Sequence, residues 1–170
     1  MTERSPGGAS GSPARSSDPR LDRETPLHPG TGSAAIIIVD GEYLLQLRDD
    51  KHGIFFPGHW GCFGGASDPG ESPEQTLVRE LGEELGLAPD PSRVRYFTAM
   101  EFDLTFAGLA PIRRYFYEVA IDPAVHAKLH LDEGAAMRLF GPEAILTASE
   151  PMTPYDGFAL WLHINAKRLR

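Results

Sequence analysis

From about Ser33 onward, apolar residues fall into short runs separated by Gly, Pro and Asp. Ala34 to Val39 is an apolar, β-branched run, Asp40-Gly41 is a strong hairpin signal, and Glu42 to Arg48 continues as the partner strand. Asp49 to His59 is a loop punctuated by Gly53, Pro57 and Gly58, and Trp60 to Phe63 reads as a short strand entering a Gly64-Gly65 turn. Downstream, Val94 to Thr105 and Ile112 to Ile121 read as two longer strands around Ala107-Gly108. A short helix over Ala124 to Leu129, a strand over Ala136 to Phe140 and a short helix over Pro142 to Thr147 follow. Tyr155 to about Leu169 closes as an amphipathic helix with Phe158, Trp161, Leu162 and Ile164 available for packing. This order predicts an α/β fold: a mixed sheet with helices on both faces. Met1 to Thr31 is rich in Gly, Ser, Pro and Arg and nearly lacks large apolar residues, so residues 1–31 are expected to form a disordered tail ahead of one domain over 32–170.

The segment between the Gly-Gly turn and the long strands has its own logic. Ser72-Pro73-Glu74-Gln75 reads as a helix start, with Ser72 as N-cap, Pro73 at the first helical position and Gln75 closing a capping box. Gly86 suits the left-handed position just beyond the helix. Leu77, Leu81 and Leu85, with Val78 beside them, form an apolar stripe for the core. Glu80, Glu83 and Glu84 stand at i, i+3 and i+4, so their carboxylates share a face, while Arg79 is expected to point around the helix. Three like charges on one patch repel unless a cation sits among them. Hard oxygens with no His or Cys on the helix favour Mg2+ or Mn2+ over zinc. A solvated surface face is the alternative for an arbitrary Glu-rich helix. The preceding glycine pair and the fixed spacing weigh against it here.

Composition narrows the function classes. The chain has 170 residues, 41% hydrophobic and 24% charged, which fits one globular domain. A net charge of −8 argues against stable nucleic-acid binding and requires local cations for an anionic small-molecule substrate. One cysteine, Cys62, rules out an internal disulfide. With no apolar run of membrane-spanning length and no signal-peptide pattern, a cytoplasmic protein without membrane attachment is expected.

Gly65 to Leu87, GASDPGESPEQTLVRELGEELGL, resembles the signature box of the Nudix hydrolases without mismatch. Seven specified positions at residue frequencies of ~7% each coincide in roughly one window in 10^8. The resemblance implies the α/β/α sandwich of that family and cleavage of a phosphoanhydride in a nucleoside diphosphate linked to another moiety. It also implies Mg2+, or Mn2+, as cofactor. By the same resemblance the Gly64 carbonyl and the carboxylates of Glu80, Glu83 and Glu84 would ligate the metal, and Arg79 would hold and orient Glu71. Glu83 and Glu133, the latter in a loop before a strand, are the candidates for activating water. Many members are dimers, so the resemblance leaves a homodimer open, with no interface located.

Leu44 to Gly65 also resembles the strand and loop ahead of the box, except that Phe63 stands where proline is usual. Arg48 and Lys51 are candidates to meet phosphate, and Trp60, Phe55 and Phe56 to stack on a base, against core packing for the aromatics. Arg113 and Arg114 lie side by side on a strand and face opposite ways, so only one of them can face a cleft; the sequence does not say which, and Arg114 is taken as the candidate. Phe102 stands where ADP-ribose pyrophosphatases favour proline, and Asp103, Leu104 and Thr105 where dinucleoside polyphosphate hydrolases carry tyrosine. A nucleotide-sugar and a nucleoside triphosphate are the first substrates to consider. A non-catalytic ligand sensor is the second reading, though the box is intact. An isopentenyl-diphosphate-isomerase-like enzyme is the third, through Cys62, though the Cys-Gly-His-Pro run is absent. Cys62 reads more simply as a small buried residue.

Overall fold

A computed structural model describes residues 30–103, 105 and 110–169. Most of the expected tail and the turn expected at Ala107-Gly108 lie outside these residues. The elements are β1 (Thr31–Val39), β2 (Glu42–Leu47), β3 (Trp60–Gly61), α1 (Pro73–Leu85), β4 (Val94–Phe102), β5 (Ile112–Ala120), α2 (Pro123–His126), β6 (Ala136–Phe140), α3 (Pro142–Leu146) and α4 (Pro154–Arg168). Asp40 and Gly41 both adopt positive φ, 49° and 86°, the tight turn that matches strand twist.

The strands form one mixed sheet in the order β3-β2-β1-β5-β4, with β6 on β2. Among the named strands, β1 and β5 are the parallel pair, from Thr31 with Arg113 to Ile38 with Ala120. This is an α/β fold whose core is split by the sheet. Ala34 and Ile36 of β1 point to one face with Phe116, Leu160 and Ile164. Ala35, Ile37 and Val39 point to the other with Leu77, Leu81 and Leu85. A strand buried on both faces has no polar alternation, which is why Ala34 to Val39 is continuously apolar. Among the described residues no helix is long and apolar enough to cross a membrane.

Two expectations about helix faces are corrected. Val78 is 50% exposed, because one step of 100° carries it off the Leu77 stripe. On α4 the buried face is Tyr155, Asp156, Ala159, Leu160, His163 and Ile164, whereas Phe158 and Trp161 stack on each other outside.

The chain from Trp60 to Ala66 is stitched to its neighbours before it reaches α1. Trp60 and Gly61 pair with β2, Phe63 bridges Ala35, and Ala66 bridges Gly32. The backbone of Gly64 runs so close to β1 that a Cβ there would lie 2.2 Å from the Ser33 carbonyl oxygen, at a φ of 124°. Gly64→Ala is therefore expected to cost about 2 kcal/mol or more, combining backbone strain with a backbone clash. Urea denaturation would measure it. An unchanged midpoint would show that the loop can move off β1.

Across the sheet from α1, His163 is 2% exposed in its side chain and bridges two partners. Its Nδ1 is 3.0 Å from the Tyr43 hydroxyl and its Nε2 is 2.8 Å from Glu118. Burial pushes His163 below its ordinary value, although Glu118 pulls the other way. Burial alone would raise Glu118, but His163, Arg95 and Lys167 outweigh it and hold the carboxyl at about 2. Both groups are depressed on folding, so both contribute stability at neutral pH. That stability is lost as pH falls, first below about 6.5 for the histidine and then below about 4.5 for the carboxylate. Thermal melts should decline between pH 4.5 and 3, where Glu118 takes up its proton, and Glu118→Gln should flatten that decline.

Candidate active site

The box segment folds as its local signals dictate. Ser72 Oγ accepts from Gln75 N at 3.2 Å and Gln75 Oε1 accepts from Ser72 N at 2.8 Å, closing the capping box. Gly86 takes the left-handed position at φ 62°. The Leu77, Leu81 and Leu85 stripe anchors α1 to the sheet and so sets the azimuth of its three carboxylates.

That azimuth distributes them unequally. Glu84 is 6% exposed. Its Oε2 accepts from Gly64 N at 2.7 Å and its Oε1 from the Gln46 side-chain amide at 3.1 Å. Burial pushes its carboxyl up to about 7, despite those two hydrogen bonds. Glu80 is also raised by burial, with Glu83 and Glu133 adding to the shift and Arg79 opposing it. Glu83 is largely solvent-exposed and bonds Arg79 at 3.0 Å.

Arg79 does not turn away from the carboxylates; its long side chain lies among them. Nε and Nη2 fork onto Glu71 at 2.8 and 2.9 Å, Nη1 reaches Glu80 and Glu83, and Nη2 also reaches the Ala66 carbonyl. The guanidinium thus ties the loop before α1 to the acidic face. Its hydrogen bond holds Glu71 down at about 2.

Beside this face lies a cleft of about 390 Å³, within the size range of small-molecule sites. Gly64, Gly65, Glu80, Glu84 and Glu133 line it together with Arg48, Arg114, Phe55 and Tyr155. The β1–β5 register settles the Arg113-Arg114 pair: Arg114 enters the cleft, while Arg113 lies over the ring of Tyr115. Arg48 is braced by its Nε bond to the Phe55 carbonyl at 2.7 Å. Lys51 instead pairs with Asp49 at the surface.

A hard divalent ion suits these donors chemically, since the described residues lining the cleft offer carboxylate and carbonyl oxygens and no His or Cys. A Cβ on Gly65 would lie 2.6 Å from the Glu80 carboxyl, so a side chain there would displace that carboxylate from its present place. No hydrogen bond from the described residues reaches the Gly64 carbonyl. Among the described residues, however, no three acidic, His or Cys side chains converge as they stand on one point. Arg79 holds Glu80 and Glu83, and Glu84 is turned to Gly64 N.

A family model described as the NUDIX domain matches residues 29–158. The chain belongs to the Nudix family. A segment of 47 residues is 51% identical to nucleoside triphosphatase NudI of Escherichia coli O1:K1 / APEC, covering 28% of this chain and 33% of that protein. The match thus spans about a third of the length of such relatives. The solution structure of the E. coli ORF135 protein is 30% identical, with a TM-score of 0.64 over 82% of this chain and 91% of that one. The MutT NUDIX hydrolase from Burkholderia pseudomallei is 24% identical with a TM-score of 0.64, over 79% and 97%. At that identity it speaks to the fold alone, which is the Nudix fold.

Within this Nudix domain, Trp60 sits away from the cleft. It is 6% exposed, donates from Nε1 to Glu150 at 2.8 Å and packs on Phe140, with Arg138 over its ring. Pairing with the end of β2 turns it inward, so core packing accounts for it. Phe56 packs on Tyr155 and His59. Cys62 is 1% exposed and burial pushes its thiol well up, which makes it a poor acid or nucleophile for isomerase chemistry. Sequence reasoning missed Gln46, Tyr155 and Asp156. Gln46 left a trace, a polar residue inside the apolar β2. Asp156 left none, because its partners are far away along the chain.

Proposed function

We propose that this Nudix protein hydrolyses a phosphoanhydride bond in a nucleoside diphosphate linked to a further group, with a nucleotide-sugar or a nucleoside triphosphate as the first candidates, in a reaction dependent on Mg2+ or Mn2+. The observation that carries it is the composition of one cleft, in which carboxylates Glu80, Glu84 and Glu133 share a 390 Å³ space with Arg48 and Arg114. Similarity to a nucleoside triphosphatase over a 47-residue segment supports the reaction class.

Glu80, Glu83, Glu84 and the Gly64 carbonyl would hold the ion, which supplies charge neutralisation at the phosphates and makes a bound water more acidic. Arg79 keeps Glu71, Glu80 and Glu83 in register with the glycine loop. Arg48 and Arg114 grip the phosphate oxygens and place the phosphorus for in-line attack. Of the two candidates to take the proton from water, Glu133 lines the cleft and Glu83 does not, which favours Glu133. Phe55 and Tyr155 offer apolar surface to the remainder of the substrate.

The test is product release from nucleoside triphosphates, nucleotide-sugars, ADP-ribose, NADH and dinucleoside polyphosphates, with Mg2+, Mn2+ or EDTA. Turnover of at least one class that stops in EDTA is the expected result. Turnover that persists in EDTA, or none with any member of the panel, would overturn the proposal.

A further inference from the structure

Gln46 is a buried polar side chain in the apolar β2, and its backbone is held from both sides, opposite Gly61 of β3 and Met137 of β6. Leu44, two residues earlier, packs on the α1 face of the sheet, so Gln46 points the same way. Its Nε2 donates to Glu84 Oε1 at 3.1 Å and to the Cys62 carbonyl at 3.4 Å. Both partners are acceptors, which sets the amide with its nitrogen toward them and its oxygen the other way. On the oxygen side lies Gly134, at a φ of 96°, where a Cβ would come within 2.9 Å of Gln46 Oε1 and 3.1 Å of the Leu47 carbonyl oxygen. The amide is boxed in by a carboxylate, a strand end and a loop.

The groups around it are themselves fastened. Cys62 N donates to Asp156 Oδ2 at 3.0 Å, and Asp156 Oδ1 lies 3.3 Å from Arg114 Nε. The loop carrying Glu133 and Gly134 is tied at both ends: Asp132 N donates to the Glu84 carbonyl at 2.9 Å and Ala135 N to the Leu47 carbonyl at 2.8 Å. Glu84 thus bonds this loop through its backbone, and Gln46 and Gly64 N through its carboxylate. A carboxylate has about four acceptor positions, so these two donors leave others free on a residue that lines the cleft. The bond to Glu84 is the shorter of the two that Gln46 donates, and the charge-assisted one when Glu84 is ionised. Its main load is therefore Glu84 rather than the Cys62 carbonyl.

We propose that Gln46 is a positioning residue: it holds Glu84 Oε1 in place between α1 and the Glu133 loop, and so raises the affinity of the acidic wall for a divalent ion. This rests on the reading above in which Glu84 helps to hold that ion. An amide suits the task, because it steers a carboxylate without bringing charge. A lysine would neutralise Glu84 in the ion's stead, and a second carboxylate would repel it. A carboxylate that is already aimed also loses less rotamer freedom when the ion binds.

The test is Mn2+ titration, read by the EPR signal of the free ion, on wild type, Gln46→Leu, Glu84→Gln and the double variant, with metal-free melts as the control on folding. Gln46→Leu should weaken Mn2+ by about tenfold or more. The same change should cost almost nothing once residue 84 is already glutamine, because its effect runs through that carboxylate. A merely structural Gln46 would lower the melt and leave the Mn2+ affinity of the folded protein unchanged. Wild-type affinity in folded Gln46→Leu, a loss of equal size in both backgrounds, or no Mn2+ binding by wild type would each overturn the proposal. If Glu84→Gln alone takes Mn2+ below detection, the Gly64 amide proton decides. In the metal-free protein its resonance should move upfield in Gln46→Leu as its bond to Glu84 loosens, and an unmoved resonance would overturn the proposal. Should Gln46→Leu fail to fold, Gln46→Met, which keeps the length of the side chain without its amide, takes its place. Because none of this needs turnover, a silent hydrolysis panel with the Mn2+ pattern intact would sink the hydrolase reading and leave the positioning role standing.

Discussion

Glu84→Gln is expected to stabilise the metal-free protein while reducing turnover by at least about a hundredfold. The two effects have one origin. Burial raises the Glu84 carboxyl to about 7 from an ordinary 4.5, so the folded state binds its proton more tightly than the unfolded chain does. A raised acid supports stability below the unfolded value, and that support is lost as pH rises through the folded value. In EDTA the wild-type protein should therefore lose stability between about pH 4.5 and 7, by at most about 3 kcal/mol at ~1.4 kcal/mol per unit. The amide of glutamine carries no charge to bury, can still accept from Gly64 N or Gln46, and should erase that loss. Melting curves of both proteins in EDTA at pH 5 and pH 8 would measure it. A mutant that melts below wild type at pH 8 would show that the buried carboxylate is not strained.

Arg79→Lys should lower kcat/KM by about ten- to a hundredfold, although the charge is kept, because no ammonium can reproduce five hydrogen bonds fanned over Glu71, Glu80, Glu83 and the Ala66 carbonyl. The same change should cost about 1–2 kcal/mol of stability, since the Arg79 side chain is 25% exposed and its Glu71 partner 20%, so solvent screens part of the network. Paired urea and kinetic measurements separate the two effects. Turnover close to wild type in Arg79→Lys would mean that positive charge alone, without the fork, organises the acidic face.

What was legible in the sequence tracks how local its cause is. The α1 helix, its capping box and its glycine exit follow from contacts within four residues. The hairpin at Asp40-Gly41 follows from the φ that only a few residues adopt there. Strand content was legible too, since a doubly buried β1 must be apolar throughout. The cleft was half legible. Its acidic wall comes from one helix, whereas Arg114 needed the β1–β5 register to be told from Arg113. Trp60 was misjudged as a stacking residue because a short strand pairing with β2 turns it into the core, a fact decided by residues as distant as Phe140 and Glu150. Asp156 could not be found, because its carboxylate is defined by Cys62, Thr153 and Arg114 together, and only the folded chain brings these together.

The placement of Tyr155 and Asp156 on α4 has a consequence for biogenesis. A chain leaving the ribosome exposes its acidic helix early, with the residues of α1, but the rear of the cleft arrives only with residues 154–168. Domains fold as units, N-terminal portions emerging first. Until that late helix docks, Arg114 would lack its counter-charge and the pocket would lack a wall. Nascent chains should thus be inert toward nucleotides, and activity should appear in one step, when the last helix closes over the sheet.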